Sequence, residues 1–122
     1  MADRESARVL ANKLFRLEGF ARENVTCFLG KAGRYWQLVA EEYLKNFDFS
    51  EQALDAALRL VLVRIGNIEG VEGAKLILKR FSMRYRQCNR TFTSAVVVYK
   101  LALKLVLLSR NLHEEVSISR KA

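Results

Sequence analysis

The sequence predicts an all-α fold, a right-handed stack or bundle of about six to seven helices in a single domain over residues 1–122. Three observations predict it. Apolar residues recur at helical spacing in successive segments. The 122 residues include no proline that would interrupt a helix. Glycines and polar caps separate the segments. Because 51% of the residues are apolar, we expect one compact core.

The first three predicted helices occupy residues 1–49. Gly19 follows the first of them and suits a left-handed C-terminal cap. The apolar stripe of this first helix consists of Leu10, Leu14 and Leu17. A short second helix runs from about Arg22 to Leu29 and ends at Gly30. The third helix has an apolar stripe of Trp36, Val39, Tyr43 and Phe47. Its outer face carries Glu41, Glu42 and Lys45.

A fourth helix is predicted to begin at Ser50, a good N-cap, with Glu51 at the positive end of the helix dipole. Its apolar stripe consists of Leu54, Leu58, Val61 and Ile65. This helix stops near Gly66. From Gly66 to Gly73, three glycines and two acids predict an exposed, irregular connection.

Two further helices are predicted after this connection. The fifth runs from about Ala74 to Gln87. Its buried side chains are predicted to be Ile77, Phe81, Tyr85 and Cys88. The sixth, from about Ser94 to Leu112, is apolar nearly all round, so we expect it to be the most buried helix. Its most apolar window, residues 95–108, is shorter than the roughly 20 residues that cross a bilayer.

Cysteine and histidine usage indicates no metal site and no cofactor. Cys27 and Cys88 lack Cys-x-x-Cys spacing, and His113 is the single histidine. His113 has no serine, cysteine and acid constellation beside it, which argues against catalysis. The N-terminus carries charges of both signs and does not resemble a signal peptide. We therefore expect a reducing, cytoplasmic setting with free thiols.

The formal charge of the whole chain is +8, and basic residues dominate its second half. No acid lies between Glu72 and Glu114, which favours an acidic partner or an anionic membrane surface. The candidate contact residues are Lys75, Lys79, Arg80, Lys100 and Lys104. Lys100 and Lys104 repel each other at i, i+4, and the alternative interpretation is a solvated stripe. Nucleic acid is disfavoured because the aromatic residues of this half fall at core-like spacing.

Several short strings follow one another in a fixed order along most of the chain. They cover residues 11–15, 17–20, 28–31, 39–44, 47–49, 57–59, 81–82, 84–85, 87–89, 107–108 and 112–113. The most specific is Gln87-Cys88-Asn89. In order and near-gapless spacing they resemble the Sec-seven domain of Arf guanine-nucleotide exchange factors. The similarity is closest to the subfamily that also carries a pleckstrin-homology domain.

The resemblance implies nucleotide exchange on small Arf GTPases through a glutamate that reaches toward the nucleotide. In the family, a Gly-Glu pair lies between the fourth and fifth helices. Here Glu69-Gly70 aligns with that pair in reversed order, so Gly70 occupies the aligned glutamate position. Glu69, or Glu72 after a small shift, is the candidate displaced glutamate. The alternative is that both acids are solvated loop charges.

The resemblance also implies an apolar groove that grips the GTPase switch regions. Leu103, Val106 and Leu107 align with groove-lining positions and are apolar, although core packing would explain them equally. The family's Asn-Thr-Asp-Leu-His string corresponds to residues 109–113, of which only the last two match. Asn111 and His113 are the candidate contact residues there.

Family members continue with further helices beyond the position of Ala122, so we expect an incomplete domain with one side of the sixth helix exposed. The expected function is a weak exchange module on an Arf-family GTPase, peripheral at plasma or endosomal membranes and linked to membrane trafficking. The alternatives are a non-catalytic Arf-binding or helical interaction module, and a basic domain that binds anionic membranes.

Overall fold

The computed structural model describes residues 2–66, 70–91 and 94–107, and every regular element in these ranges is an α-helix. The helices are α1 (Ala2–Arg16), α2 (Arg22–Leu29), α3 (Arg34–Leu44), α4 (Leu54–Ile65), α5 (Val71–Cys88) and α6 (95–107). The predicted all-α class is confirmed. The handedness of the stack stays a prediction.

α1 packs along α3 through small side chains. Ala7, Ala11 and Leu14 are fully buried and lie on one stripe of α1, and alanine allows two helix backbones to approach closely. Among α1 to α5, this pair forms the most extensive helix contact. The position of α1 over α3 also brings Arg4 to the acidic side chains of α3.

The end of α1 differs from its prediction at Leu17. Leu17 lies outside the helix, is 41% exposed, and adopts the left-handed conformation with φ of 59°. The amide of Glu18 donates to the carbonyl of Lys13 at 2.9 Å, and that of Leu17 donates to Leu14 at 3.3 Å. These two bonds form a Schellman cap. The cap therefore lies two residues before Gly19, and Leu17 is not part of the core stripe.

Two predictions about α3 are wrong. The helix ends at Leu44, so Phe47 lies in the connection after it, where its ring packs against Phe49. Glu42 was predicted on the outer face but is only 8% exposed, because α1 covers that side of α3. Its carboxylate is satisfied by Arg4 at 3.0 Å and Lys45 at 2.6 Å.

The start of α4 also differs from the prediction. The helix begins at Leu54 with Ala53 in extended conformation as its N-cap. Ser50 instead donates its amide to Asp48 Oδ1 at 3.0 Å, and Glu51 has a φ of 63°. Asp48 therefore closes a tight turn with its own side chain, and that turn delays the helix by several residues.

The core of the described chain centres on α3 and α5, and α6 is not the most buried helix. Within residues 95–107, Val98 and Ala102 are the buried side chains, whereas α3 contributes six and α5 contributes seven. An apolar helix buries only the sides that meet neighbours. The exposed apolar residues of α6 are Val96, Val97, Leu101 and Leu107.

Candidate functional site

The connection between α4 and α5 is shorter than predicted, because α5 begins at Val71. Gly66 caps α4 with φ of 84°, and Gly70 is the N-cap of α5 with φ of 82°. Gly73 lies in the first turn of α5, where its backbone closely approaches Gly30. The predicted irregular segment from Gly66 to Gly73 therefore ends at Gly70.

Glu72 lies in the first turn of α5 and is exposed. The N-cap residue Gly70 has no side chain with which to cap this helix, and the positive end of a helix dipole stabilises a carboxylate there. Glu72 is thus an accessible acid on a helix, rather than a loop charge. Glu69, the other candidate, lies outside the described residues.

Gly70, at the position aligned with the family's glutamate, has a backbone that favours glycine. Its φ of 82° and ψ of 144° are sparsely populated by residues with a side chain. A Cβ built there meets nothing within 4 Å. Space around position 70 is therefore open, and only the backbone conformation opposes a larger residue.

An open groove of about 850 Å³ lies beside the two ends of this connection. α2 forms one wall, and the opposite wall comes from the end of α4 and the start of α5. The lining residues are Arg22, Glu23, Thr26, Cys27, Gly30, Ile65, Gly66 and Gly73. Sequence patterns indicate no site residue on α2, because a contact between α2 and α5 leaves no periodic signal.

The groove candidates of α6 divide into two environments. Leu103 and Val106 are half-buried and pack against the core, whereas Leu107 is 50% exposed. The structure therefore brings Leu103 and Val106 partly into the core. The exposed Val97 and Leu101 were not among the candidates, because those were taken from positions that align with the family's groove. Asn111 and His113, the other partner-contact candidates, lie outside the described residues.

The basic candidates also divide, and Arg80 is a correction. Lys79, Lys100 and Lys104 are exposed and Lys75 is half-buried. Arg80 is only 7% exposed and donates from Nη1 to the carbonyl of Leu29 at 2.8 Å. Burial lowers the pKa of Arg80, and this effect outweighs the opposite influence of Glu41. Arg80 ties α5 to α2 and is not a surface contact residue.

The described residues offer no cluster of three or more His, Cys, Asp or Glu side chains that would hold a metal ion. Cys27 is exposed, Cys88 is half-buried, and both are free thiols. None of the helices in the described ranges has the length and apolar character needed to cross a membrane. The chemistry available at the site is that of carboxylates, cations and apolar surface.

Comparison with known proteins identifies the family. The Sec7 domain model matches residues 2–122. The protein "Exchange factor for Arf-6" from Caenorhabditis elegans is 34% identical over 113 residues, which cover 91% of this chain but 14% of that protein. The crystal structure of the Sec7p catalytic domain shares the fold with a TM-score of 0.73 at 24% identity, over 84% of this chain and 57% of that chain. Because the family model matches nearly every residue, this chain belongs to the Sec7 domain family.

Proposed function

We propose that this chain is a guanine-nucleotide exchange module that acts on an Arf-family small GTPase. One observation carries the proposal: a chain of the Sec7 domain family presents an exposed acid, Glu72, two residues after the position aligned with the family's glutamate. The similar Caenorhabditis elegans protein is named an exchange factor for Arf-6, which supports the same activity.

The chemistry requires an accessible carboxylate beside the nucleotide of the GTPase. A carboxylate near the β-phosphate and Mg²⁺ adds negative charge to an already anionic site, which weakens nucleotide binding. Glu69 or Glu72 would supply this charge. The apolar residues Leu103, Val106 and Leu107 of α6 would dock the GTPase, and Asn111 and His113 are the further contact candidates that the family resemblance implies.

A non-catalytic Arf-binding or helical interaction module is the second candidate, and the backbone of Gly70 favours it. Position 70 is a glycine, and its backbone conformation suits glycine. The aligned position therefore carries no carboxylate. Such a module would use the apolar surface of α6 without accelerating nucleotide release. The two candidates therefore differ in one measurable rate.

Release of fluorescent GDP from an Arf-family GTPase tests the proposal. The wild-type chain is expected to accelerate release slowly, and charge reversal of the acting glutamate, Glu69→Lys or Glu72→Lys, should abolish the acceleration. Glu18→Lys, an exposed acid in the turn after α1, is the matched control and should retain it. Binding to the GTPase without any acceleration by the wild type would establish the interaction module instead.

Restoring the family order gives a second test. The double variant Glu69→Gly with Gly70→Glu places a carboxylate at the aligned position, where space is open, although the backbone strain costs about 1–3 kcal/mol. The control Glu69→Gly with Gly70→Ala carries the same strain without the charge. Faster release with glutamate but not with alanine is the expected result. No detectable release from either the wild type or the restored variant would reject exchange activity.

Exposed lysines on two adjacent helices support a peripheral position of this domain on anionic membranes, at the cytoplasmic face of plasma or endosomal membranes. The Lys79 ammonium lies 5.7 Å from the Tyr99 ring centroid, so exposed Lys79 of α5 lies beside α6, the helix that carries exposed Lys100 and Lys104. Binding to vesicles with anionic lipid should weaken steeply with salt, since exposed charges are screened beyond about 10 Å at 0.1 M. Lys79→Glu with Lys100→Glu should abolish it. Salt-insensitive binding would indicate apolar insertion.

A further inference from the structure

The short helix α2 contacts both ends of the connection between α4 and α5. We infer that α2 is a brace that sets the position of this connection, and that Arg22 and Gly30 are positioning residues for the exchange step. The role in exchange rests on the proposed function. α2 would then have a role in the site, although the sequence indicates no site residue on this helix.

Arg22, the first residue of α2, holds the α4 end of the connection. Its Nε donates to the carbonyl of Arg64 at 3.4 Å, and its Nη2 donates to the carbonyl of Val63. The last carbonyls of a helix have no intrahelical partner, and the negative end of the helix dipole favours a cation. Arg22 therefore caps α4 immediately before the chain leaves it at Gly66.

Gly30, the C-cap of α2, meets the α5 end of the connection. A Cβ at position 30 would lie 3.0 Å from the Cα of Gly73 and 3.1 Å from its carbonyl oxygen, contacts so tight that the Gly73 backbone must move by a few tenths of an ångström. The φ of Gly30 is −99°, a value open to any residue. Space, rather than backbone conformation, therefore favours glycine at this position.

A second contact fastens the same end of α2 to α5. The carbonyl of Leu29, the last residue of α2, accepts the 2.8 Å hydrogen bond from Arg80. Leu29 and Val25 are themselves buried in the core. α2 has eight residues, a length of roughly 12 Å. This short helix is held at both ends and therefore links the end of α4 to the start of α5.

Glu72 is the residue directly before Gly73, so the contact at Gly30 bears on the candidate glutamate. A methyl group at position 30 must push the Gly73 backbone away, because backbone atoms cannot rotate aside as a flexible side chain can. That movement shifts Glu72 without touching α6. The shift is a few tenths of an ångström, and misplacing a reacting group lowers the rate of its step, so the effect falls on the release step and not on docking.

The test uses the full chain with Gly30→Ala and Arg22→Ala, and with Asn24→Ala as an exposed control on the same helix. Amide hydrogen exchange is followed by NMR at Gly66, which donates to Leu62 at 2.9 Å, and at Ala74, which donates to Gly70 at 3.3 Å. Arg22→Ala should speed exchange at Gly66, and Gly30→Ala at Ala74, by roughly tenfold. Asn24→Ala should change neither amide.

GDP release kinetics with the same variants provide the second readout. Gly30→Ala and Arg22→Ala should lower kcat about tenfold while KM for the GTPase stays unchanged, and Arg22→Lys should recover part of kcat. Unchanged exchange at Gly66 and Ala74 would overturn the brace. Loosened amides with an unchanged kcat would overturn the positioning role. If the wild type catalyses no release, the proposed function fails together with the positioning role, and the amide measurement alone then decides whether α2 is a brace.

Discussion

The side chain of Asn89 holds the backbone of Phe49 in place. Its Nδ2 donates to the Phe49 carbonyl at 2.9 Å, and its Oδ1 accepts from the Glu51 amide at 3.1 Å. One asparagine at the end of α5 therefore satisfies two backbone groups of the connection between α3 and α4. This arrangement gives a physical reason for Asn89 in the Gln87-Cys88-Asn89 string, because a side-chain amide carries its donor and its acceptor on two separate atoms.

We predict that Asn89→Ala lowers the free energy of unfolding by about 1–3 kcal/mol, because it leaves both backbone groups without their partner. Urea denaturation followed by circular dichroism measures this change. Asn24→Ala, an exposed asparagine on α2, should stay within about 0.5 kcal/mol of the wild type. Equal stability of the two variants would show that the Asn89 bonds do not hold the connection.

Glu51 provides a prediction of the opposite sign, since its φ of 63° is unfavourable for a residue with a side chain. Glu51→Gly keeps the amide that Asn89 binds and relieves this conformation, so the free energy of unfolding should rise by about 0.5 kcal/mol. Glu18→Gly is the matched control: it is also an exposed acid in a turn, but its φ is not positive. The control should be destabilised by a similar amount, and a fall in stability for Glu51→Gly would contradict the prediction.

Neighbouring cations on α5 should respond differently to removal of their charge. Arg80→Met removes the buried hydrogen bond to Leu29 and should lower the free energy of unfolding by about 2 kcal/mol, because an unpaired buried carbonyl is costly. Lys79→Met, at an exposed position, should change it by less than about 0.5 kcal/mol. Thermal and urea unfolding of both variants measure the difference. Equal effects of the two substitutions would mean that Arg80 is a surface residue, as the sequence suggested.

The sequence predicts the interiors of helices well and their ends poorly, for a physical reason. The stripe of Leu58, Val61 and Ile65 is buried as predicted, because periodicity reports which side of a helix meets the core. Ser50 and Glu51 were assigned to a helix start from local preference. The amide of Glu51 is instead bound by Asn89, which lies 38 residues along the chain.

At the candidate site, too, the sequence predicts what local patterns determine and misses the contacts between distant segments. The order of the family strings locates the connection between α4 and α5, because the spacing between the strings can be read directly from the sequence. The contact of Gly30 with Gly73 and the burial of Arg80 depend on how α2 and α5 meet. Neither leaves a local pattern, so both were missed, and the positive charge of Arg80 suggested a surface role that burial excludes.

Glu42 leads to a prediction of pH dependence. Burial raises the pKa of this carboxyl group. The hydrogen bonds and charges of Lys45 and Arg4 together lower the pKa by more, so the folded-state pKa lies below the ordinary 4.5. A depressed carboxyl pKa contributes stability that is complete above the ordinary value and is lost as the pH falls through the folded-state value. Glu42 should therefore stabilise the fold at neutral pH and lose that contribution in acid.

The measurement compares the wild type with Glu42→Gln by urea denaturation from pH 3 to pH 8. At pH 6–8 the variant should be less stable by about 1 kcal/mol, and the gap should close as the pH falls below about 4.5. Glu5→Gln is the control, since the Glu5 side chain is 73% exposed in its 3.7 Å pair with Arg8, and exposed pairs contribute about 0–1 kcal/mol. A gap that stays constant down to pH 3 would mean that the ionised carboxylate of Glu42 does not stabilise the contact between α1 and α3.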